Sequence, residues 1–428
     1  MLVIKMRVIL TILIVILVVI LFSIPAFSQK ILVPMDLKQT DHLKAYGLAY
    51  WTLEKGLNVE WLLNYRGGSF LVDYNSAIER ELRIRGVSYE AISGSQASQI
   101  YATIEDNNMD VVLLEKAPAI AIYQSPRETK WDDAVALALD YAEVPYTKLW
   151  DKEVLDGELE KYDWLHLHHE DFTGQYGKFY RSFRNAPWYV EMVQINEAIA
   201  KELGFKKVSL LKLAVAKMIK EYVLRGGFLF AMCSGTDTYD IALAAEGTDI
   251  CDGVFDGDPI DPNCQKKMDY SKTFAFENFK LITDPLIYEF SDIDIPSSDN
   301  PILRNEESDY FTLFDFSAKY DPVPTMLTQN HVSVIKGFMG QTTGFKKSLI
   351  KKSVVIMAES EGTEQVKYLH GNVGKGTFTY YGGHDPEDYQ HFVGDPATQL
   401  SLHKNSPGYR LILNNILFPA AKKKERKT

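Results

Sequence analysis

The chain is short of cysteine, of basic charge and of long apolar runs, and each shortage excludes a class of protein. Three cysteines in 428 residues, Cys233, Cys251 and Cys264, cannot staple a disulfide scaffold. In an oxidising compartment Cys251 and Cys264 can pair across their short loop. That leaves Cys233 as the odd thiol, either a candidate nucleophile or a small buried hydrophobe. Basic residues number 46 against 57 acidic ones, a balance that argues against non-specific nucleic-acid binding. The longest apolar run, "VILTILIVILVVILF" at residues 8–22, holds about 15 residues where a membrane-spanning helix needs about 20. Internal repeats and low-complexity segments are also missing.

What is present begins with that run. Lys5 and Arg7 precede it and "SIPAFSQK" follows, with Ala26 and Ser28 meeting the small-residue rule for a cleavage site. Residues 1–28 therefore read as a secretory signal peptide and the chain as exported, to the periplasm or the cell exterior. Membrane contact is then through the leader alone, if it is left uncleaved. No cysteine near the cleavage site supports a lipid anchor. The tail at residues 422–428, "KKKERKT", reads as a basic solvated end.

Between these ends two regions follow. Over residues 29–117 the apolar segments "KILVPM", "NVEWLLNY", "VSYEAIS" and "MDVVLL" accompany "DHLKAYGLAYWTLEKG", whose apolar residues recur at helical spacing. This is an N-terminal α/β region. A second series opens with a buried strand at Ala119–Tyr123 and continues through the helix "WDDAVALALDYAEV", "YTKLW", the helix-like "EVLDGELEKY" and the strand "DWLHLHH". The long helix "VSLLKLAVAKMIKEYVLRGG" then stops at Gly226 and Gly227. Strands alternating with helices of about 12 residues predict a mainly parallel, doubly wound sheet with helices on both faces, over residues 118–421. Residues 247–330 are turn-rich and acidic and read as an insertion near the sheet's edge. Three strands, "SVVIMAES", "QVKYLHG" and "GTFTYYGG", and a closing helix, "SPGYRLILNNIL", complete the domain.

The segment "GGFLFAMCSGTDTYDIALAA" at residues 226–245 is an apolar run that meets a cysteine and turns into a helical pattern. A nucleophile at such a strand-to-helix turn is held exposed, and small neighbours tolerate the strained backbone. The helix N-terminus behind it favours a thiolate and offers N–H groups to an oxyanion. "AMCSG" resembles the "GxCxG" elbow of class I glutamine amidotransferase-like proteins, with Ala231 in place of the first glycine. Further on, "GNVGKGTFTYYGGHDPEDYQ" resembles the trehalose-utilisation-type branch of that superfamily, in which a "GKG" turn, a strand and "GHD" follow one another. The resemblance covers roughly residues 118–420. It implies a class I amidotransferase-like core with Cys233 as nucleophile, His384 as its base, Glu387 or Asp385 orienting the imidazole, and the N–H groups of Ser234 and Gly235 holding the oxyanion.

Two functions follow. One is a small-molecule-binding protein that keeps the cleft for a carbohydrate or an amide; the other is a cysteine-dependent hydrolase or amidase. The incomplete elbow tips the balance toward the first. Over its whole length the chain also resembles exported bacterial proteins catalogued as asparagine synthetase B. That label implies ATP chemistry on a pyrophosphate loop of the form "SGGxDS". In Ser234, Gly235, Thr236, Asp237 and Thr238 the loop is one residue short and lacks its second glycine, which opposes the phosphate approach.

Four further clusters carry chemistry. In "HLHHEDF", His166 and His168 share one face of a strand and His169 takes the other. Two imidazoles so spaced can hold zinc if a third ligand arrives, and His384, Glu170 and Asp171 are the candidates; ligand binding without metal and a structural role are the other readings. The residues Asp249, Asp252, Asp256, Asp258 and Asp261 offer oxygens to calcium, although no complete EF-hand spacing is present and solvated acidic turns are the favoured reading. The aromatic stretch Phe172–Tyr189, with Tyr176 and Trp188, can stack on a sugar or peptide or simply pack. Arg66, beside Gly67 and Gly68, binds an anion or turns a corner, the latter favoured.

Overall fold

The computed structural model describes residues 29–125, 133–295, 306–321, 323–390, 392 and 394–421; the leader and the basic tail lie outside them. Two sheets organise these residues. The first contains β1 (Lys30–Val33), β2 (Val59–Leu63), β3 (Ser69–Asp73), β4 (Glu90–Ile92) and β5 (Asp110–Leu114) in the order β4-β1-β3-β2-β5. Every neighbouring pair in it is antiparallel. Helices α1 (His42–Glu54), α2 (Ser76–Arg85) and α3 (Gly94–Asp106) accompany it. The corner between β2 and β3 is where Arg66 lies, in a left-handed conformation at φ 47°. Its guanidinium holds Asp36 at 2.7 Å and Glu90 at 2.8 Å, so the residue ties the corner down. At Gly67 a Cβ would meet the Met35 carbonyl at 2.5 Å, which explains the glycine.

The second sheet has ten strands and is mixed. β6 (Ile120–Tyr123), β7 (Thr147–Leu149), β8 (Trp164–Leu167), β9 (Phe228–Met232) and β15 (Gly376–Tyr381) run parallel in the order β7-β6-β8-β9-β15. β14 (Gln365–Val373), β13 (Val355–Glu359), β10 (Tyr310–Leu313) and β11 (Val334–Lys336) extend it antiparallel beyond β15, and β12 (Phe345–Lys346) also pairs with β14. Residues 247–330 are thus part of the sheet, since they supply β10 near its edge.

Alternating side chains bury both faces of the parallel strands. Ile120, Ile122, Phe228 and Phe230 share a core with α4 (Ala134–Ala142), α1 and residues 409–417. Ala121, Tyr123, Leu229 and Ala231 share the opposite core with Tyr189 and Ala200 of α5 (Pro187–Glu202), with Leu211, Val215 and Ile219 of α6 (Val208–Arg225), and with Tyr239, Ile241 and Leu243 of α7 (Ser234–Ala244). Helix α8 (Pro407–Leu417) closes the chain. Helix α5 begins at the end of the aromatic stretch, where Pro187 at its first turn marks the start. All three cysteines are buried and free. The Cys251 thiol donates to the Thr173 carbonyl at 3.2 Å, and the pairing with Cys264 that the sequence allows is not made. Among the described residues no helix is long and apolar enough to cross a membrane.

Candidate functional site

Three parallel strands, β8, β9 and β15, lie side by side, and their carboxyl ends deliver His168 and His169, Cys233, and His384. Cys233 is the single residue between the end of β9 and the start of α7, and its backbone adopts φ 49°, ψ −140°. A non-glycine residue held there costs about 1–3 kcal/mol, sustained only by rigid flanking structure. β9 supplies that rigidity, hydrogen-bonded to β8 on one side and β15 on the other. Gly235 is the second requirement of the turn. A Cβ on it would sit 2.6 Å from the His168 carbonyl, to which its own N–H donates at 2.9 Å.

That bond corrects the oxyanion expectation: the Gly235 N–H is committed to the His168 carbonyl just past β8. The groups around the sulfur are instead Ser234 and two residues of a distant loop. The Gln341 N–H donates to Cys233 Sγ at 3.3 Å. Burial nevertheless pushes the thiol up to about 11, against the opposing pull of the Thr342, Gln341 and Ser234 N–H groups. The hydroxyls that a phosphate cradle would need are turned inward. Ser234 Oγ donates to the His169 carbonyl at 2.9 Å, Thr236 Oγ1 to the Cys233 carbonyl at 2.7 Å and Thr238 Oγ1 to the Glu170 carbonyl at 2.9 Å.

The histidines form a continuous chain of rings. His166 is fully buried between Trp164 and Phe230, with Nδ1 at 3.0 Å from the Phe230 carbonyl. His168 is also buried and shares its face, as strand alternation requires, and both imidazoles approach the carboxylate of Asp133. His384 packs edge-on against His168 with ring centroids 4.3 Å apart and stacks against His169 at 5.7 Å. Burial, then the neighbouring His384, holds His168 well below the ordinary imidazole range. Burial alone would raise Asp133, but His166, His168 and the Ala136 N–H hold it well below the carboxylate range. The sequence reading did not single out Asp133; its visible role is as N-cap of α4, accepting from Val135 and Ala136. Glu170 Oε2 accepts the His168 backbone N–H at 2.8 Å.

A cavity of about 530 Å³ opens over these strand ends. His169, Cys233 and His384 line it, with Lys178, Gln341 and Tyr288 among the other walls. Tyr176 and Trp188 are not among its lining residues. Tyr176 packs against Tyr189 and Phe255, and Trp188 against Phe179 and Phe183. The aromatic wall is formed by Phe179, Phe183, Tyr288 and Phe392. Lys178 is buried, and burial brings its ammonium down to about 8. It donates to the carbonyls of Ile282 and Glu289, the latter at 2.9 Å, so it fastens the aromatic loop to the acidic insertion. No sequence pattern announces Lys178, Gln341 or Tyr288, which reach the cavity from loops far apart in the chain.

Neither carboxylate expected behind His384 is shown orienting its ring. Asp385 Oδ2 accepts from Thr398 Oγ1 and Tyr409 OH, both at 2.8 Å, while Oδ1 accepts the Glu387 N–H. Glu387 pairs with His403 at 3.0 Å. The His384 backbone N–H donates to the Met339 carbonyl at 2.9 Å, in the same loop that reaches Cys233. In the acidic insertion Asp249, Asp256 and Asp258 converge on Lys207, whose ammonium pairs with all three carboxylates. Asp261 accepts from Thr248 and pairs with Lys267, and Asp252 caps a short helix.

No family model matches the chain, and no curated protein matches it. Among solved structures it is similar to two cytoplasmic proteins of Salmonella typhimurium. One shares 11% identity at a TM-score of 0.35, over 72% of this chain and 100% of that one. The other shares 12% at 0.34, over 71% and 99%. A GH42 β-galactosidase, Gan42B, aligns at 10% identity and a TM-score of 0.24, over 63% of this chain and 28% of the enzyme. Likenesses of this size assign neither fold family nor function.

Proposed function

We propose that the chain is an exported protein with a class I amidotransferase-like core that binds a small molecule, a carbohydrate or an amide, in the cavity between Cys233 and His384. Counted along the chain, the five parallel strands take the order 2-1-3-4-5, that of a doubly wound sheet. Ligands of such sheets sit beyond the carboxyl ends of the strands. The carrying observation is that one cavity is lined by residues from the ends of β8, β9 and β15 and walled by Phe179, Phe183, Tyr288 and Phe392. Aromatic faces suit sugar rings, and Lys178, Gln341 and the imidazoles supply donors and acceptors.

The test is thermal unfolding of the exported chain against a panel of mono- and disaccharides and of carboxamides. A ligand present at about 100 times its Kd adds roughly 2.7 kcal/mol, a rise in Tm of a few degrees. Tyr288→Ala should remove the rise while leaving the unliganded Tm nearly unchanged. A panel in which no sugar and no amide moves Tm would sink this reading.

Cysteine-dependent hydrolysis is the second reading, favoured by the strained φ and ψ of Cys233, the conformation expected of a nucleophile elbow. A thiol pushed to about 11 opposes it, since only the thiolate attacks. Iodoacetamide labelling of Cys233 against pH decides between them. An inflection above pH 10 supports binding without thiol chemistry, and one below 8 makes the hydrolase the better reading.

A further inference from the structure

We propose that His168, His169 and His384 together bind one zinc ion at the floor of the cavity. The ligating atoms of the three imidazoles lie within 4.8 Å of one another. Tetrahedral zinc with nitrogens at about 2.0–2.1 Å needs them about 3.4 Å apart, so the rings would close by about 1.4 Å at most around the ion. The observation that asks for an occupant is His168. It is 1% exposed, and among the described residues neither ring nitrogen has a hydrogen-bond partner. An unsatisfied buried polar group costs about 1–3 kcal/mol, and two on one ring that also faces two more imidazoles are poorly explained by packing alone.

The surroundings supply the supporting shell that metal-bound imidazoles have. Asp133 Oδ1 lies 3.8 Å from His168 Nδ1 and is itself anchored by the N–H groups of Val135 and Ala136. A carboxylate on that side of the ring favours the proton on Nδ1 electrostatically, which leaves Nε2 as the nitrogen for the metal. Three nitrogens and no oxygen select against calcium and magnesium and suit zinc. His169 and His384 both line the cavity, so the remaining coordination position faces the space assigned above to the small ligand. Three histidines with one open position is the donor set of a catalytic rather than a structural zinc site. The ligand set differs from a strand-based one of His166, His168 and Glu170, because His166 Nδ1 faces the Phe230 carbonyl while the nitrogens of His168, His169 and His384 converge.

Zinc binding does not depend on the sugar or amide reading, since metal content is measured with no small molecule present. The exported chain, purified without chelator or polyhistidine tag, is assayed for metal by mass spectrometry and then stripped and titrated with zinc chloride. About one equivalent per chain is expected. His169→Ala and His384→Ala should each abolish stoichiometric binding, with far-UV circular dichroism unchanged. Asp133→Asn should weaken zinc binding by about 10–100-fold. Cys233→Ser should keep the full equivalent. The proposal is overturned if the wild-type chain neither contains nor takes up zinc, if the double variant His169→Ala/His384→Ala still binds one equivalent, or if Cys233→Ser loses it. His168→Ala is the less useful probe because its core position invites misfolding.

Discussion

At the scale of single residues, buried neutral imidazoles make stability depend on acid. His370 on β14 is buried, bonds to Thr379 Oγ1 at 2.8 Å, and burial brings its imidazole down to about 3. Between pH 3 and the ordinary value of about 6.5 the unfolded chain holds a proton there that the folded chain does not. Stability from this site is therefore complete above pH 6.5 and is lost as pH falls, at about 1.4 kcal/mol per unit. His370→Phe keeps the ring's shape beside Phe228 and removes the titration. Urea unfolding between pH 4.5 and 6.5 should show a slope shallower by about that amount in the variant; an unchanged slope would mean that the imidazole is already charged in the fold. The same scale separates what the sequence discloses from what it hides. Cys233 and His384 are legible because each follows an apolar strand and small residues, a local pattern. The engagement of Gly235, Asp385 and Glu387 is not, since it depends on β8, Tyr409 and His403, each brought in by a different part of the chain.

At the scale of elements, helix α1 reaches the second sheet's helical layer through one glycine. A Cβ at Gly47 would stand 1.8 Å from the carbonyl oxygen of Ala142, the last residue of α4, which also accepts from Arg85 at 3.1 Å. Helix propensity alone predicts that Gly47→Ala stabilises by about 1 kcal/mol. Contact with backbone leaves no side chain to yield, and overpacking of this kind costs about 1–3 kcal/mol or more. The net expectation is a loss near 2 kcal/mol, read by chemical denaturation, and a gain instead would mean that the two helices do not touch. Periodicity shows why α1 and α4 are helices but is silent on their crossing. The strands follow the same rule. The apolar runs of β1, β2, β6 and β8 are plain in the sequence, whereas the antiparallel course of the first sheet resides in pairings that no run of residues displays. Strand β3, "SFLVD", escapes notice because it follows β2 after a corner of five residues, Asn64–Gly68, whose glycines read as loop.

At the scale of the whole molecule, the two sheets part between Leu114 and Ile120, but their cores do not. Ile31, Val59 and Phe70 of the first sheet belong to the same buried cluster as Ile120, Phe228 and Leu411 of the second half. The polar seam is equally shared. Arg410 on α8 is fully buried and donates to the Met35 carbonyl at 2.7 Å, to the Gly67 carbonyl and to Tyr46 OH at 3.0 Å. Glu115 N–H meets the Ala420 carbonyl at 3.0 Å, so the chain's last described turn is bonded to the end of its first sheet. A boundary drawn in sequence near residue 117 thus divides the strands without dividing the buried cluster. A shared core makes the loss of one part expose the other, so the two should open together. Hydrogen exchange should give the amides of β3 and of β9 the same opening free energy, and Arg410→Leu should lower both by equal amounts. The expected loss is roughly 1–3 kcal/mol for each carbonyl left without a donor. Exchange of β3 through a separate, cheaper opening, with β9 unaffected by Arg410→Leu, would show that residues 29–117 fold as a domain of their own.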